Sequence, residues 1–267
     1  MLYQQSVEGG KDGCMELKKP IATLEEVGKR FDRQNWAIAD LTLNLYSSEI
    51  LSLVGPSGCG KSTLLRLMSG LTSLSSGTLN WDNSGQKPQL AFVFQDAALM
   101  PWAKVWQNVY LPLKLAGVSP KSAQAQIQEA LKLVQLEQVS QSYPRQLSGG
   151  MKMRVSIARA LVNNPQVLLM DEPFAALDDI TRTQLNDELL NLWGQKQWTI
   201  VFVTHNIYEA VYLSHRVVVM GTAPGRIVAE IPIDEPYPRD RSFRGAIAYT
   251  EYCQQVATAL SQTITPH

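Results

Sequence analysis

The 267-residue sequence has few of the residues that build metal centres and disulfides, and it has no long apolar run. It contains three cysteines and three histidines, and neither set shows the spacing of a zinc site or a disulfide framework. No apolar stretch approaches the roughly 18 residues of a membrane-spanning helix, and we see no signal-peptide h-region at the start. We therefore expect a protein of a reducing compartment that reaches a membrane only through a partner.

An excess of charge of one sign is also missing. The 24 basic and 24 acidic residues balance to a net charge of zero. Without a basic footprint, we expect no nucleic-acid partner. The length is enough for one large domain, or for one domain with an inserted lobe.

The chain is organised around a glycine-rich loop at residues 55–63. This loop follows an apolar run, residues 50–54, which reads as a buried strand. It fits the pattern G-x-x-x-x-G-K-[ST] with the residues Gly55, Pro56, Ser57, Gly58, Cys59, Gly60, Lys61, Ser62 and Thr63. Its glycines let backbone N–H groups point at an anion, and the helix that starts near Lys61 adds its positive dipole end. The pattern predicts a phosphate-binding loop in which Lys61 reaches the β- and γ-phosphates and Ser62 ligates Mg²⁺. An ordinary strand-to-helix turn is the alternative, and the complete match in this context disfavours it.

Apolar periodicity predicts an α/β chain with a mainly helical stretch in its middle. We expect a loose tail at residues 1–19, a Ser/Thr/Gly-rich connection through Gly77, and mostly helices over residues 97–162. The apolar residues 102–115 fit a partner surface and a local core equally well. Strands are expected at 21–31, 41–46, 50–54, 88–94, 167–170, 199–204, 217–220 and 227–230, and helices at 61–71, 121–136, 152–161, 180–193 and 242–262.

Polar side chains follow several of the predicted strands. Gln95 ends one strand, Asp171 and Glu172 end another, and His205 ends a third. Ligands of parallel sheets collect at the carboxyl ends of their strands. We predict that Asp171 holds Mg²⁺ and that Glu172 orients or deprotonates the attacking water, since two adjacent buried carboxylates need a cation. Gln95 is either a solvated cap or a water and metal ligand, and His205 is a candidate to bind the γ-phosphate.

Three further positions carry capping or stacking chemistry. Ser148, Gly149 and Gly150 precede a helix, which makes them either a plain N-cap or a second anion site. Asp178 stands at the head of another helix, with capping chemistry. Phe31 is either a core aromatic or a ring that stacks on a ligand.

Together these motifs resemble an ATP-binding cassette (ABC) ATPase from about residue 21 to residue 230. The residues that carry the resemblance, in order, are Gly55 to Thr63, Gln95, Leu147-Ser148-Gly149-Gly150-Met151, Asp171-Glu172, Ala176-Leu177-Asp178 and His205. The Leu-Ser-Gly-Gly signature separates this family from other phosphate-loop ATPases. Met151 replaces the usual glutamine, which is similar to the nitrate, sulfonate and taurine importer branch.

The resemblance implies an α/β fold with a phosphate-loop (RecA-like) core, an antiparallel β subdomain and an inserted α-helical subdomain at about 97–162. The ATPase domain would span 20–235, and residues 236–267 would form a C-terminal extension. Gln95 corresponds to the Q-loop glutamine, Asp178 to the D-loop aspartate, His205 to the switch histidine, and Phe31 to an adenine-stacking position.

The resemblance also implies partners and a location. Two cassettes, expected to be identical, would meet head to tail around two ATP molecules with Mg²⁺, each bound between one chain's phosphate loop and the other chain's Ser148, Gly149 and Gly150. Residues 95–115 would receive a coupling helix from a transmembrane permease at the cytoplasmic face of the membrane. A solute-binding protein would be an indirect partner and, with the permease, would select the solute.

Three other functions are disfavoured by the sequence. DNA-repair, chromosome and translation cassettes need coiled-coil heptads or a second cassette, and neither pattern is present. A regulatory module that binds ATP as a switch could lose its catalytic base, whereas Lys61, Asp171, Glu172 and His205 are all here. An exporter is disfavoured because a fused membrane domain is absent.

We further expect the electropositive loop to lower the pKa of the Cys59 thiol, and bound ATP to shield that thiol from alkylation.

Overall fold

The computed structural model describes residues 19–32, 35–81, 88–222 and 224–263. The tail expected at residues 1–19 lies, apart from Lys19, outside the described residues. The strands of the described part are β1 (Pro20–Arg30), β2 (Trp36–Tyr46), β3 (Ile50–Val54), β4 (Ser76–Trp81), β5 (Leu90–Val93), β6 (Val167–Asp171), β7 (Thr199–Val203), β8 (Arg216–Gly221) and β9 (Arg226–Pro232). The α-helices are α1 (Lys61–Ser69), α2 (Val105–Leu115), α3 (Pro120–Leu133), α4 (Gly149–Leu161), α5 (Asp179–Lys196), α6 (Ile207–Leu213), α7 (Arg241–Arg244) and α8 (Ile247–Ser261).

The strands form two sheets. A three-stranded antiparallel sheet has the order β2-β1-β4, and a six-stranded sheet has the order β5-β6-β7-β3-β8-β9. The first five strands of the larger sheet are parallel, and β9 is antiparallel to β8. Every residue of β3, β6 and β7 is buried, as their continuous apolar runs predict for central parallel strands. This architecture confirms the expected fold class.

Strand β4 lies where the sequence suggested only a connection. It pairs with β1 through partners such as Leu24 with Leu79, and most of its residues are exposed or half-buried. An exposed edge strand does not need a strongly apolar pattern, so its formation depends on pairing with β1.

The helices α2, α3 and α4 follow one another between β5 and β6 and pack together, inside the range 97–162 expected for the helical subdomain. In α2 the inward positions Val105, Val109 and Leu113 are buried, whereas Leu115 at its end is exposed. Residues 102–115 therefore supply both a local core and an exposed apolar surface.

Helix α6 was not predicted, and the single helix expected over 242–262 is divided into α7 and α8. The residues of the C-terminal segment are not loosely attached, because Phe243, Tyr249 and Val256 are buried in the same apolar cluster as α5 and α6. A second cluster packs the antiparallel sheet and α1 against the other face of β3, β6 and β7. The large sheet is thus covered on both faces, and its carboxyl edge is left for ligands.

Candidate active site

The phosphate loop joins the end of β3 to the start of α1. Gly58 and Gly60 have φ values of 81° and 97°, which non-glycine residues rarely adopt. Gly55 is required for close packing, since a Cβ atom there would lie 2.5 Å from the carbonyl oxygen of Met220. The loop therefore keeps a curled backbone at the N-terminus of α1, the geometry that presents N–H groups to an anion.

Lys61 lies at the first position of α1 and is buried. Its ammonium donates hydrogen bonds to the carbonyl oxygens of Gly55, 2.8 Å away, and Pro56, 3.0 Å away. These contacts hold the charge inside the curve of the loop. A phosphate bound to the loop would lie beside this ammonium.

Ser62 and Asp171 come together from positions 109 residues apart. The Ser62 hydroxyl donates to Asp171 Oδ1 over 2.8 Å. Burial raises the pKa of the Asp171 carboxyl, and the Ser62 hydrogen bond only partly opposes this. A nearby cation would stabilise the ionised carboxylate, so the pair suits a hard divalent cation such as Mg²⁺.

Glu172 and His205 form a second pair at the same edge of the sheet. His205 Nδ1 and Glu172 Oε2 are 3.1 Å apart. Glu172 has a φ of 46°, and its N–H donates to the Val203 carbonyl oxygen over 3.0 Å. A left-handed conformation at a non-glycine residue costs of order 1–3 kcal/mol, and such strain clusters at functional sites.

Gln95 follows β5 with its side chain exposed. The segment after Gln95 is hydrogen-bonded to the group formed by helices α2, α3 and α4, called the helical group below. Arg159 of α4 donates to the carbonyl oxygens of Ala97 and Ala98, both 2.8 Å away. Sequence reasoning missed this role of Arg159. Its acceptors are backbone carbonyls some sixty residues away, so no local pattern marks them.

The candidate residues of the second anion site lie at the start of α4, and Asp178 lies at the start of α5. The Ser148 hydroxyl accepts the N–H of Met151, and the Asp178 carboxylate accepts the N–H of Thr181. The Thr181 hydrogen bond lowers the pKa of Asp178. Ser148 and Gly149 are exposed, whereas Gly150 is buried against Thr181. Each of the two side chains thus caps its own helix and does not bond to the phosphate loop within the described residues.

The structure contradicts two expectations about single residues, the core position of Phe31 and the lowered pKa of Cys59. Phe31 is 68 % exposed, with the Lys29 ammonium 5.3 Å from its ring centroid, so the interpretation as a core aromatic is wrong. Cys59 is fully buried, and its Sγ atom lies 3.8 Å from Lys61 Nζ. Burial raises the pKa of the Cys59 thiol by more than Lys61 lowers it, so the expected depression of this pKa is wrong.

Within the described residues, no group of three or more His, Cys, Asp or Glu side chains could hold a metal ion.

A phosphate loop, a hydroxyl–carboxylate pair and a carboxylate–histidine pair at the carboxyl edge of a parallel sheet define a phosphate-loop nucleoside triphosphatase. Comparison with known proteins narrows this class. Residues 38–175 match the family described as ABC transporter. An uncharacterized ABC transporter ATP-binding protein of Methanocaldococcus jannaschii is 42 % identical over 94 % of each chain.

Other relatives agree. The aliphatic sulfonates import ATP-binding protein SsuB of Bacillus cereus is 41 % identical, over 82 % of this chain and 89 % of its own length. A dimeric ATP-binding cassette solved in a post-hydrolysis state with ADP and Pi aligns with a TM-score of 0.70 and 31 % identity, over 80 % of this chain and all of that chain. The structure of cbiO1 from Clostridium perfringens, part of the ABC transporter complex cbiONQ, aligns with a TM-score of 0.74 and 25 % identity, over 89 % of this chain and all of that chain.

The chain therefore belongs to the ABC transporter ATP-binding family. It is an ATP-hydrolysing cassette of the sulfonate-type importer branch, which confirms the expected class and activity. None of the described helices has the length and apolar character that a bilayer span requires.

Proposed function

We propose that two identical copies of this chain close around two ATP–Mg²⁺ complexes and, on the cytoplasmic face of a membrane, drive uptake of a small solute through a permease. The ATPase domain would comprise residues 20–235. The observation that carries the proposal is the 3.1 Å contact between Glu172 and His205 beside the phosphate loop. A carboxylate and an imidazole at the phosphate end of such a site are the groups that activate water and stabilise the transferred phosphoryl group.

Each residue of the site has a proposed part in binding. The backbone N–H groups of residues 55–63 and the Lys61 ammonium hold the phosphates, and the exposed ring of Phe31 stacks on adenine. Ser62, Asp171 and Gln95 supply the oxygen ligands for Mg²⁺. When bound, this ion neutralises charge on the β- and γ-phosphate oxygens.

Hydrolysis then needs one base and several donors. Glu172 accepts a hydrogen bond from the attacking water and orients it in line with the γ-phosphate. Lys61 exchanges its loop carbonyls for phosphate oxygens, and His205 donates to the γ-phosphoryl group. Lys61 and His205 already lie at the phosphate end of the site, so only their hydrogen-bond partners change as they stabilise the developing charge.

The second chain completes each site. Ser148 and Gly149 are exposed at the N-terminus of α4 and bond only locally in the described structure. With Gly150 they would meet the γ-phosphate bound by the other chain, and Asp178 would lie at the same junction. The dimeric cassette to which this chain is similar supports such a pairing.

A groove on the helical group is the proposed permease contact. Its apolar lining is formed by Phe92, Phe94, Leu111, Pro112 and Leu115, and Arg159 lies in it as well. Since Arg159 also holds the carbonyls after Gln95, a partner in this groove would touch the connection between permease and nucleotide site. The names of the import relatives support a role in solute uptake.

The test is the mass of the Glu172→Gln variant in solution, measured by light scattering with and without ATP. We expect it to bind ATP, to hydrolyse ATP at least about 100-fold more slowly than the native chain, and to double its mass when ATP is added. The exposed Glu251→Gln substitution serves as the control and should hydrolyse ATP normally.

Near-normal turnover of Glu172→Gln would remove Glu172 from the role of base. A variant that binds ATP and stays monomeric at high protein concentration would contradict the identical pair and point to a different cassette as partner.

A further inference from the structure

We infer that the C-terminal segment, residues 237–261, positions His205 by holding helix α6, which begins two residues after that histidine. This inference rests on the role of His205 in the proposed function. It gives residues beyond 235 a part in the reaction, although they lie outside the nucleotide site.

The C-terminal end of α6 is held by hydrogen bonds from Arg239. Its buried guanidinium donates from Nη1 to the carbonyl oxygens of Val211, Tyr212 and Ser214, at 3.1, 3.2 and 2.8 Å. The last carbonyls of a helix have no partner within the helix, so this contact acts as a cap. The ring of Tyr237 lies 4.3 Å from the Arg239 guanidinium and keeps it in place.

The last turn of α6 is also tied to α5 and α7, through Arg244 and Tyr212. The Arg244 guanidinium lies 3.7 Å from the ring centroid of Tyr212 and donates to Asp187 Oδ1 over 2.9 Å. The hydroxyl of Tyr212 donates to the same carboxylate oxygen over 2.8 Å. One charged residue of the C-terminal segment thus holds α6 laterally.

The first turn of α6 is held by α8. The hydroxyl of Tyr249 donates to the carbonyl oxygen of Tyr208 over 2.8 Å. Tyr208 lies three residues after His205. Tyr249 is itself fixed, because it is buried and packs edge-on against Phe243 with 5.1 Å between ring centroids.

The connection from α6 to His205 is short and is held by three hydrogen bonds. Asn206 caps the helix by accepting the N–H of Glu209 over 3.2 Å. The Thr204 hydroxyl donates to Glu209 over 2.5 Å and accepts the N–H of Asn206 over 3.0 Å. A movement of α6 must therefore carry residues 204–206 with it.

His205 depends on this support because its own side chain is 59 % exposed, and Glu172 Oε2 is the partner that its ring nitrogen meets. The His205 ring has little packing of its own. The distance from the His205 ring to Glu172 therefore depends on the position of the His205 backbone, which α6 holds.

A double variant tests the inference. Arg244→Gln with Tyr249→Phe removes two contacts to α6 while leaving the buried Arg239 in place. The matched control is Arg241→Gln with Tyr252→Phe. Arg241 also pairs with Asp187, at 3.4 Å, and the Tyr252 hydroxyl accepts the N–H of Asp234 at 3.1 Å, but Asp187 and Asp234 themselves lie outside α6.

The readouts are kcat and KM for ATP, together with the melting temperature. We expect kcat of the test variant to fall about tenfold, as loss of two modest polar contacts allows, with ATP affinity changed by less than about twofold. The control variant should keep kcat. An equal fall of kcat in both variants, or no fall in either, overturns the inference.

A cycle with His205→Ala separates positioning from general stability. On that background the test variant should cause no further loss of kcat, because the residue it positions is gone. A further tenfold loss overturns the inference and leaves the proposed function intact. If His205→Ala alone keeps normal kcat, the role of His205 in the proposed function fails, and the inference fails with it.

Discussion

At the scale of single residues, two side chains of the same chemical type can differ because their surroundings differ. Asp171 and Glu172 are adjacent carboxylates with different surroundings. Asp171 is buried and bonded to Ser62, whereas Glu172 turns into a left-handed conformation and meets His205. In the proposed function one binds a cation and the other orients water, and the left-handed conformation of Glu172 separates the two carboxylates.

Cys59 gives a prediction at this scale. Because burial raises its thiol pKa, the reactive thiolate is scarce, and the closed packing hinders reagents. We expect native Cys59 to react with iodoacetamide at least about 100-fold more slowly than a free cysteine, with or without ATP. Peptide mapping by mass spectrometry checks this, and protein unfolded in urea gives the reference rate.

Cys253 provides an internal comparison, since it is also buried and burial raises its pKa to about 11. Fast labelling of Cys59 in the native chain that ATP suppresses would contradict the buried position and restore the shielding first expected.

At the scale of elements, the turn between β8 and β9 supports the phosphate loop from behind. Gly225 accepts the N–H of Ala39 and donates to the carbonyl oxygen of Ala37, both over 3.1 Å. A Cβ atom at Gly225 would lie 2.3 Å from the carbonyl oxygen of Cys59 and 2.7 Å from that of Ala37. Both obstacles are backbone atoms, so the loop itself must move.

We predict that Gly225→Ala weakens ATP binding about tenfold or more, because strain of 1–3 kcal/mol falls on the phosphate loop. Equilibrium binding of a fluorescent ATP analogue measures it. Gly194→Ala in α5 is the control, since a Cβ atom there meets nothing within 4 Å. Equal affinity of the two variants for the ATP analogue would show that the turn at Gly225 does not influence the phosphate loop.

The start of α6 contains a buried carboxyl that titrates. Burial raises the pKa of Glu209 above its ordinary value of 4.5, against the opposing effects of the Thr204 hydrogen bond and of Arg182 and His205. Its Oε1 atom and the side-chain Oδ1 atom of Asn186 are buried without a hydrogen-bond partner among the described residues. Above pH 4.5 the unfolded chain releases this proton and the folded chain retains it, so stability falls as pH rises through this window.

Glu209→Gln removes this dependence. We predict that the free energy of unfolding of the native chain, relative to the variant, falls as pH rises above 4.5, the ordinary pKa of this carboxyl. Urea unfolding at several pH values measures the difference. A difference that stays constant with pH would mean that Glu209 ionises equally in both states.

At the scale of the whole molecule, the apolar groove beside α2 faces outward. Leu115 is 80 % exposed, and Trp102 is 76 % exposed. We predict that Leu115→Glu prevents co-purification with the permease proposed as the partner, because the charge is costly to bury at an interface. Basal ATP hydrolysis of the isolated chain should not change.

Leu71→Glu is the matched control, since Leu71 is 62 % exposed and lies outside the groove. Capture of the permease by Leu115→Glu as efficient as by the control would move the docking surface elsewhere.

Much of the nucleotide site follows from the sequence because its parts are local. The loop at 55–63 is defined by consecutive residues, and Asp171-Glu172 and His205 each end a continuous apolar run, which predicts a central parallel strand and hence a shared edge. The roles of these residues remain predictions. The fold class followed from the same runs.

Tertiary structure alone decided features whose partners are far apart in sequence. Strand β4 forms by pairing with β1, the turn at Gly225 packs against the backbone of Cys59, and Arg159 donates to carbonyl oxygens about sixty residues earlier. The hydrogen bonds from Arg239 to α6 also depend on tertiary structure. Their acceptors are backbone carbonyl oxygens, which every residue has, so no side chain marks them in the sequence. A spacing pattern records the side chains that a local motif needs, whereas contacts to distant backbone leave no such pattern.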